Sequence, residues 1–211
     1  MKTMQRPARG RGRAAMILLA ALVTGLLLTG VACLGTQAGL AQRVVRLHVL
    51  ANSDSEEDQA LKLLVRDAVL DQAETLLEGT GSRAEAESVL NQALPDLKNT
   101  AASVIDGAGY DYDVEVRLEE TAFPTKEYDG FALPAGEYLA LRVLIGQAQG
   151  QNWWCVVFPP LCTTASEEVP EAAEAAGLTA GQVRLITEED GAYRLKFKAV
   201  ELWEKLGTLW K

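Results

Sequence analysis

The sequence predicts an α+β fold: an antiparallel-dominated sheet with two long N-terminal helices and a short C-terminal helix, preceded by a signal or anchor helix. Two patterns predict this class. Apolar residues recur at spacings of three and four over residues 56–78, as on one face of a helix, and they alternate with polar residues over 111–118, as on a half-exposed strand. The later strands are joined mostly by short loops, which favours antiparallel neighbours and places the helices on one face of the sheet.

A strand with distinct faces opens the predicted domain. Residues 44–50 are rich in Val and Leu, and the apolar side chains alternate with Arg46 and His48. Because alternate side chains of a strand share a face, Arg46 and His48 lie together on the polar face. We therefore expect His48 to be partly exposed on the surface of the sheet.

Two serines, each followed three residues later by an acidic residue, mark the starts of two helices. The pairs are Ser55 with Asp58 and Ser82 with Glu85. The first helix is expected over residues 56–78, and the second reaches about Asp106 with a kink or restart at Pro95. Capping also explains the acidic group around Asp58 better than a calcium loop does, because the central Gly of such a loop is missing.

The second half of the chain predicts hairpins and short helices. A strand at residues 138–145 is expected to pair with one at 153–158 across a loop rich in Gly and Gln. The later elements are a short acidic helix, a second hairpin and a terminal helix, at residues 167–176, 183–187 with 193–199, and 200–210. No internal repeat or long linker divides residues 43–211, which predicts one domain.

The first 38 residues differ from the rest in charge. They hold five basic residues and no acidic one, and residues 14–34 are an uncharged, mostly apolar run long enough to cross a bilayer. A basic segment followed by such a run is typical of a secretory signal. Residues 1–38 are therefore predicted to be a signal peptide, or an uncleaved anchor that tethers the exported domain of residues 43–211 through residues 14–34.

The charge of the exported part excludes one class of partner. The whole chain has a net charge of −9, and removing residues 1–38 leaves 15 basic and 29 acidic residues, a net charge of −14. A nucleic-acid-binding protein needs basic surface for its phosphate contacts, so nucleic acid is not expected as a partner. Membrane contact is expected only through the N-terminal segment, if it stays uncleaved.

His48 is the single histidine, and two cysteines of the exported part, Cys155 and Cys162, lie seven residues apart. In an oxidising compartment the two thiols can form a disulfide, and the alternative is two buried thiols. A nucleophilic pair of His48 with Cys155 or Cys162 also stays open, although neither cysteine is placed at a helix N terminus, where thiolate is favoured. No metal-binding or phosphate-binding motif is present, so neither a metal nor a cofactor is expected.

The segment from Asn152 to Cys162 has an unusual concentration of Trp and Pro. Adjacent strand residues point to opposite faces, so Trp153 and Trp154 cannot fill the same core. Two alternatives remain: one Trp is an exposed contact residue, or both faces of the sheet are covered. We take Asn152, Trp153, Trp154, Pro159 and Pro160 as the candidate partner contact.

Two blocks of the chain carry a resemblance to a known family. The first includes Arg-Leu-His-Val-Leu-Ala-Asn-Ser-Asp-Ser at 46–55 and continues to Val69; the second includes Leu-Pro-Ala-Gly-Glu-Tyr at 133–138 and the segment 152–162. Together they resemble the signatures of the stage II sporulation protein R family over roughly residues 43–165. Both blocks are long and chemically unusual.

That resemblance implies a role as a messenger in endospore formation. Members of the family are made in the forespore and exported into the space between forespore and mother cell. There they are required to activate a membrane-embedded aspartic protease, stage II sporulation protein GA, which processes pro-sigma-E. The resemblance implies no catalytic residues, and the expectation is that this chain is not an enzyme. The alternatives are a secreted thiol hydrolase and an exported module that binds cell wall or a small ligand.

Overall fold

The structure is a computed structural model that describes Met16, residues 39–163, Ala165 and residues 167–187. Six strands are present in these residues: β1 (Val45–Leu50), β2 (Val114–Phe123), β3 (Lys126–Glu127), β4 (Ala132–Leu133), β5 (Gly136–Ile145) and β6 (Asn152–Phe158). Four of them form a sheet in the order β2–β5–β1–β6, and β3 pairs with β4 in a short ribbon. In the sheet, β1 runs parallel to β5, whereas the β1–β6 and β2–β5 pairs are antiparallel. The sheet is therefore mixed and mostly antiparallel, within the predicted α+β class.

The helices are α1 (Glu56–Leu77), α2 (Arg83–Gly107), α3 (Val169–Ala175) and α4 (Ala180–Thr187). The predicted caps of the two long helices are confirmed. The Ser55 hydroxyl accepts from the Asp58 N–H at 3.1 Å, and the Ser82 hydroxyl accepts from the Glu85 N–H at 3.3 Å. Pro95 lies inside α2, which neither ends nor restarts there.

The predicted hairpin of residues 138–145 with 153–158 is wrong, because β1 lies between β5 and β6. Five of the six β1 residues are buried, and a strand covered on both faces belongs in the middle of a sheet. The loop after β5 instead crosses the end of β1, where the Gly150 N–H donates to the Ala51 carbonyl at 3.0 Å. Alternation along a strand shows its faces but does not identify its neighbour.

The predicted strand at residues 183–187 is also wrong, because these residues belong to α4. The Thr179 hydroxyl accepts from the Gln182 N–H at 3.3 Å near the start of this helix. Val183 and Ile186, three residues apart, are both buried on one helix face. The other predictions for the chain ends lie outside the described residues: the leader helix apart from Met16, the strand at 193–199 and the terminal helix.

Helices cover both faces of the sheet, so the prediction that they lie on one face is wrong. On the first face, α1 and α2 pack with Val45, Leu47 and Val49 in the larger apolar cluster. On the second face, α3 and α4 share a cluster with Phe123, Tyr138 and the chain around Leu40. This second layer buries the face of β1 that the sequence predicts to be half exposed. Across the ranges that the structure describes, no helix is both long enough and apolar enough to pass through a bilayer.

Candidate partner-binding site

His48 lies inside the protein, so the predicted partial exposure is wrong. Its exposed fraction is 4%, and its ring stacks on Trp154 with 4.0 Å between centroids. The ring Nε2 makes a hydrogen bond of 2.7 Å with the Asn152 side-chain oxygen. Burial lowers the pKa of His48 to about 4, against the opposing effect of the Asn152 bond. At neutral pH the imidazole is uncharged and part of the packing.

Arg46 is buried beside His48 on the second face. Its guanidinium lies 4.0 Å from the centroid of the Phe123 ring and donates to the Tyr128 hydroxyl at 2.5 Å. Burial lowers the pKa of Arg46 from its usual range, although the charge of Tyr128 and its hydrogen bond act in the opposite direction. The aromatic residues around Arg46 and His48 form the wall that supports Trp154 from behind.

The two cysteines and the histidine do not form a nucleophilic pair. Cys155 and Cys162 are joined as a disulfide with 6.2 Å between their Cα atoms, within the usual range for such bonds. Cys155 stands opposite Leu47 in the register and belongs to the cluster of the first face, whereas His48 is on the second face. This geometry argues against a thiol hydrolase, because both thiols are bonded and His48 is separated from Cys155 by the sheet.

Trp153 and Trp154 point to opposite faces, as the sequence predicts. Trp154 is partly buried against His48 and Phe123. Trp153 is 37% exposed, and the Arg66 guanidinium of α1 lies 4.2 Å from the centroid of its ring. Both alternatives from the sequence thus hold in part: the sheet is covered on both faces, and one Trp of the edge strand still offers surface.

A groove of about 670 Å³ runs along this edge of the sheet. Its floor is the start of β6, from Asn152 to Trp154. One wall is α1, with Lys62 and Leu63, and the other is the segment at Lys126–Tyr128. The sequence identified the floor but not the walls. The sequence could have identified the α1 wall from residue spacing. Gln59, Leu63 and Arg66 are four and three residues apart, so they lie on the same side of the helix.

The two prolines of the candidate contact are placed differently. Pro159 is buried, whereas Pro160 is exposed. A second groove of about 500 Å³ passes both prolines and is bordered by Asp71, Glu74 and Glu78 of α1. Pro159 therefore offers less surface than Pro160, and the assignment of Asn152, Trp153, Trp154, Pro159 and Pro160 to a partner contact stays a prediction.

The polar residues after β1 form hydrogen bonds with one another and with the loop after β5. The Asp58 carboxylate accepts from the Asn52 amide at 2.8 Å and from the Ser53 hydroxyl at 2.6 Å, and the Asn52 side-chain oxygen accepts from the Gln147 N–H at 3.0 Å. Burial by itself raises the pKa of Asp58, but the bonds from Ser53 and Asn52 lower it below its usual range. We call these residues, Asn52, Ser53, Asp58 and Gln147, the cap network. Within the ranges covered by the structure, no group of three or more His, Cys, Asp or Glu side chains is arranged to hold a metal ion.

Comparison with known proteins gives one consistent result. A family model described as stage II sporulation protein R matches residues 41–168. The chain is 41% identical over 123 residues to stage II sporulation protein R of Bacillus subtilis (strain 168), which covers 58% of this chain and 55% of that protein. The chain thus matches just over half the length of this curated relative. No solved structure matches it. The matched region extends from just before β1 through the disulfide and contains both the groove and the cap network.

Proposed function

Because the chain belongs to the stage II sporulation protein R family, and so has a role in sporulation, we propose that it is an exported signalling protein of endospore formation. It is made in the forespore and passes into the space between the two cells. There it activates the membrane-embedded aspartic protease, stage II sporulation protein GA, that processes pro-sigma-E in the mother cell. The family match over residues 41–168 carries this proposal.

Two features of the chain support an exported messenger. The basic and apolar leader of residues 1–38 is typical of export. The disulfide between Cys155 and Cys162 suits a compartment outside the reducing cytoplasm. If the leader stays uncleaved, residues 14–34 tether the domain to the membrane from which it emerges. Mass measurement with and without reductant on protein from the exported fraction tests the disulfide, and free thiols there contradict it.

The groove at β6 is the proposed contact with the protease. Trp153 combines partial exposure with a rigid aromatic ring, which is typical of residues that contribute most to protein–protein binding. His48 and Arg46 act in this proposal as buried support for the edge, because they pack behind Trp154 and Phe123. An exported wall-binding module would use the same surface, so wall material belongs in the test.

In the decisive experiment, this chain, the protease and pro-sigma-E are co-expressed in a bacterial host that contains none of them. We expect processing of pro-sigma-E with all three proteins and almost none without this chain. A variant that lacks residues 1–38 is the matched control, since it stays in the cytoplasm and should not support processing. Equal processing with and without the chain contradicts the proposal, and sedimentation of the chain with purified cell wall instead favours the wall-binding module.

A further inference from the structure

The two edges of the sheet differ in charge. The edge strand β2 has four charged residues among ten, whereas the seven residues of β6 include none. The four are Glu115, Arg117, Glu119 and Glu120. Charged side chains on an edge strand disfavour pairing with a strand of another chain. This protection is present along β2 and missing along β6.

The backbone of β6 directs polar groups outward. The Val156 N–H donates to the Cys162 sulfur at 3.1 Å, so this amide points away from β1. The pairing with β1 is regular from Val156 to Asn152, and alternate residues of a strand direct their N–H and C=O groups to the same side. The N–H and C=O groups of Trp154 and Asn152 therefore face outward. In the described part of the chain, β1 is the strand that pairs with β6, and no second strand pairs with its outer side at Asn152–Trp154.

A buried ammonium group lines the groove beside this open edge. Lys62 is only 4% exposed, and its Nζ donates to the Gln59 side-chain oxygen at 2.6 Å and to the Gln151 carbonyl at 3.1 Å. An ammonium group has three N–H donors, and the ion pairs found among the described residues do not include Lys62. Burial lowers the pKa of Lys62, and the more distant charge of Asp54 opposes this only in part. Burial of a charge that has no carboxylate in direct contact is unfavourable, so an incoming carboxylate that reaches Lys62 would be stabilised here.

We propose that the outer side of β6 at Asn152–Trp154 takes up an extended, carboxylate-bearing segment of a partner protein as an added strand. The main chain of that segment continues the sheet, and one acidic side chain pairs with Lys62. Trp153 and Leu63 offer apolar surface on the α1 side, and Tyr128 borders the segment on the other. This inference deepens the proposed function and rests on it for the choice of partner.

A second copy of this chain fits the groove less well than an acidic segment. Two β6 edges brought together would add no carboxylate from β6 itself, because that strand has no charged residue. The groove of each copy is lined by two cations, Lys62 and Lys126, and by one carboxylate, Glu127, so two grooves that face each other bring an excess of positive charge together. Like charges placed opposite one another disfavour such a pair.

The test uses the full chain in mild detergent and overlapping synthetic 12-residue peptides that cover the loops of the protease on its exported side. A peptide that binds should protect the amides of Asn152 and Trp154 from hydrogen exchange, measured by NMR. N-methylation at successive positions of that peptide should weaken binding about tenfold at every second residue and little in between, because alternate amides form the ladder.

Lys62→Met tests the charge. We expect this variant to bind the acidic peptide and its Asp→Asn or Glu→Gln form equally well. Lys62→Arg should keep the preference for the acidic peptide. The control Lys98→Met, an exposed position on α2, should leave that preference unchanged. Melting curves of the free proteins identify a variant that fails to fold, and the peptide substitutions then test the charge on the unaltered chain. A preference that persists in folded Lys62→Met contradicts the ion pair.

The outcomes separate this inference from the proposed function. If processing requires the chain but no loop peptide binds, or if binding lacks the period of two, strand addition is wrong and the function stands. If Asn152 and Trp154 gain protection with rising protein concentration and no peptide, a second copy is the occupant and the inference is overturned. If a peptide adds to β6 while processing is independent of the chain, the proposed function is wrong and strand addition is supported.

Discussion

The cap network and the β6 groove both lie within the family-like part of the sequence and are neighbours, because Gln59 of the groove donates to the Ser53 carbonyl, yet they differ in how much of their surface is open. In the cap network, Asn52, Ser53 and Asp58 satisfy one another across distances of 2.6 to 2.8 Å. At the groove, Trp153 is more than one-third exposed, and among the described residues no strand pairs with the outer side of β6 at Asn152–Trp154. A distinctive polar motif can therefore be needed for folding, whereas the surface available to a partner lies in the less polar block.

The largest loss of stability is expected for Gly150→Ala, which disturbs the cap network at Ser53. A Cβ added there would lie 2.1 Å from the Ser53 carbonyl oxygen, which is backbone and cannot move aside easily. We expect Gly150→Ala to lower the free energy of unfolding by about 3–4 kcal/mol. Urea unfolding measures this change. Gly107→Ala in α2 is the matched control, because a Cβ there meets nothing within 4 Å and the added helix propensity should be neutral or stabilising.

The next largest loss of stability is expected at acidic pH and comes from His48, which packs behind Trp154 of the groove. His48 has a folded-state pKa of about 4, below its ordinary value of 6.5, so the unfolded chain binds the proton more readily. Stability is therefore complete above about pH 6.5 and decreases as the pH falls towards 4, by up to about 3 kcal/mol from this residue. Unfolding measured between pH 7 and pH 4 should show the loss in the native chain.

His48→Gln isolates this contribution, since it removes the titrating ring and keeps a hydrogen-bonding partner for Asn152. We expect the variant to have a flatter dependence on pH between 6.5 and 4. Asp58 has a lowered pKa, so most of the stability it contributes is lost below this window, and it is present in both proteins and cancels in the comparison. An equal slope in both proteins contradicts the assignment to His48.

A smaller loss of stability is expected for Asp58→Ala. The change removes the carboxylate that holds Asn52 and Ser53, and those donors then lose their acceptor. We expect about 2 kcal/mol of destabilisation in urea, with processing of pro-sigma-E retained at a temperature where the variant is folded. The exposed neighbour Glu57→Ala is the control and should change stability little. A stable Asp58→Ala variant without processing activity would reverse the comparison and make the cap network a contact surface.

Features of the fold that depend on local interactions could be predicted from the sequence, whereas features that depend on distant residues could not. The starts of α1 and α2 could be predicted because Ser55 and Ser82 act on donors three residues away, a local interaction. The burial of His48 could not, because it depends on Phe123 and Trp154, which come from distant parts of the chain. Likewise periodicity alone places Trp153 and Trp154 on opposite faces, whereas the place of Lys62 in a wall of the groove depends on the packing of α1 against the edge of the sheet.

The smallest effect on stability, and the sharpest test of the groove, is expected for Trp153→Ala. The side chain is partly exposed and stacks with Arg66, so its loss should lower the free energy of unfolding by about 1 kcal/mol. Processing of pro-sigma-E should nevertheless decrease at least about tenfold, the usual scale for an aromatic contact residue. Leu76→Ala is the control, because Leu76 has the same exposed fraction of 37% and does not line the groove. If both variants process pro-sigma-E like the native chain, the contact lies elsewhere, and Pro160 beside the second groove is the next position to change.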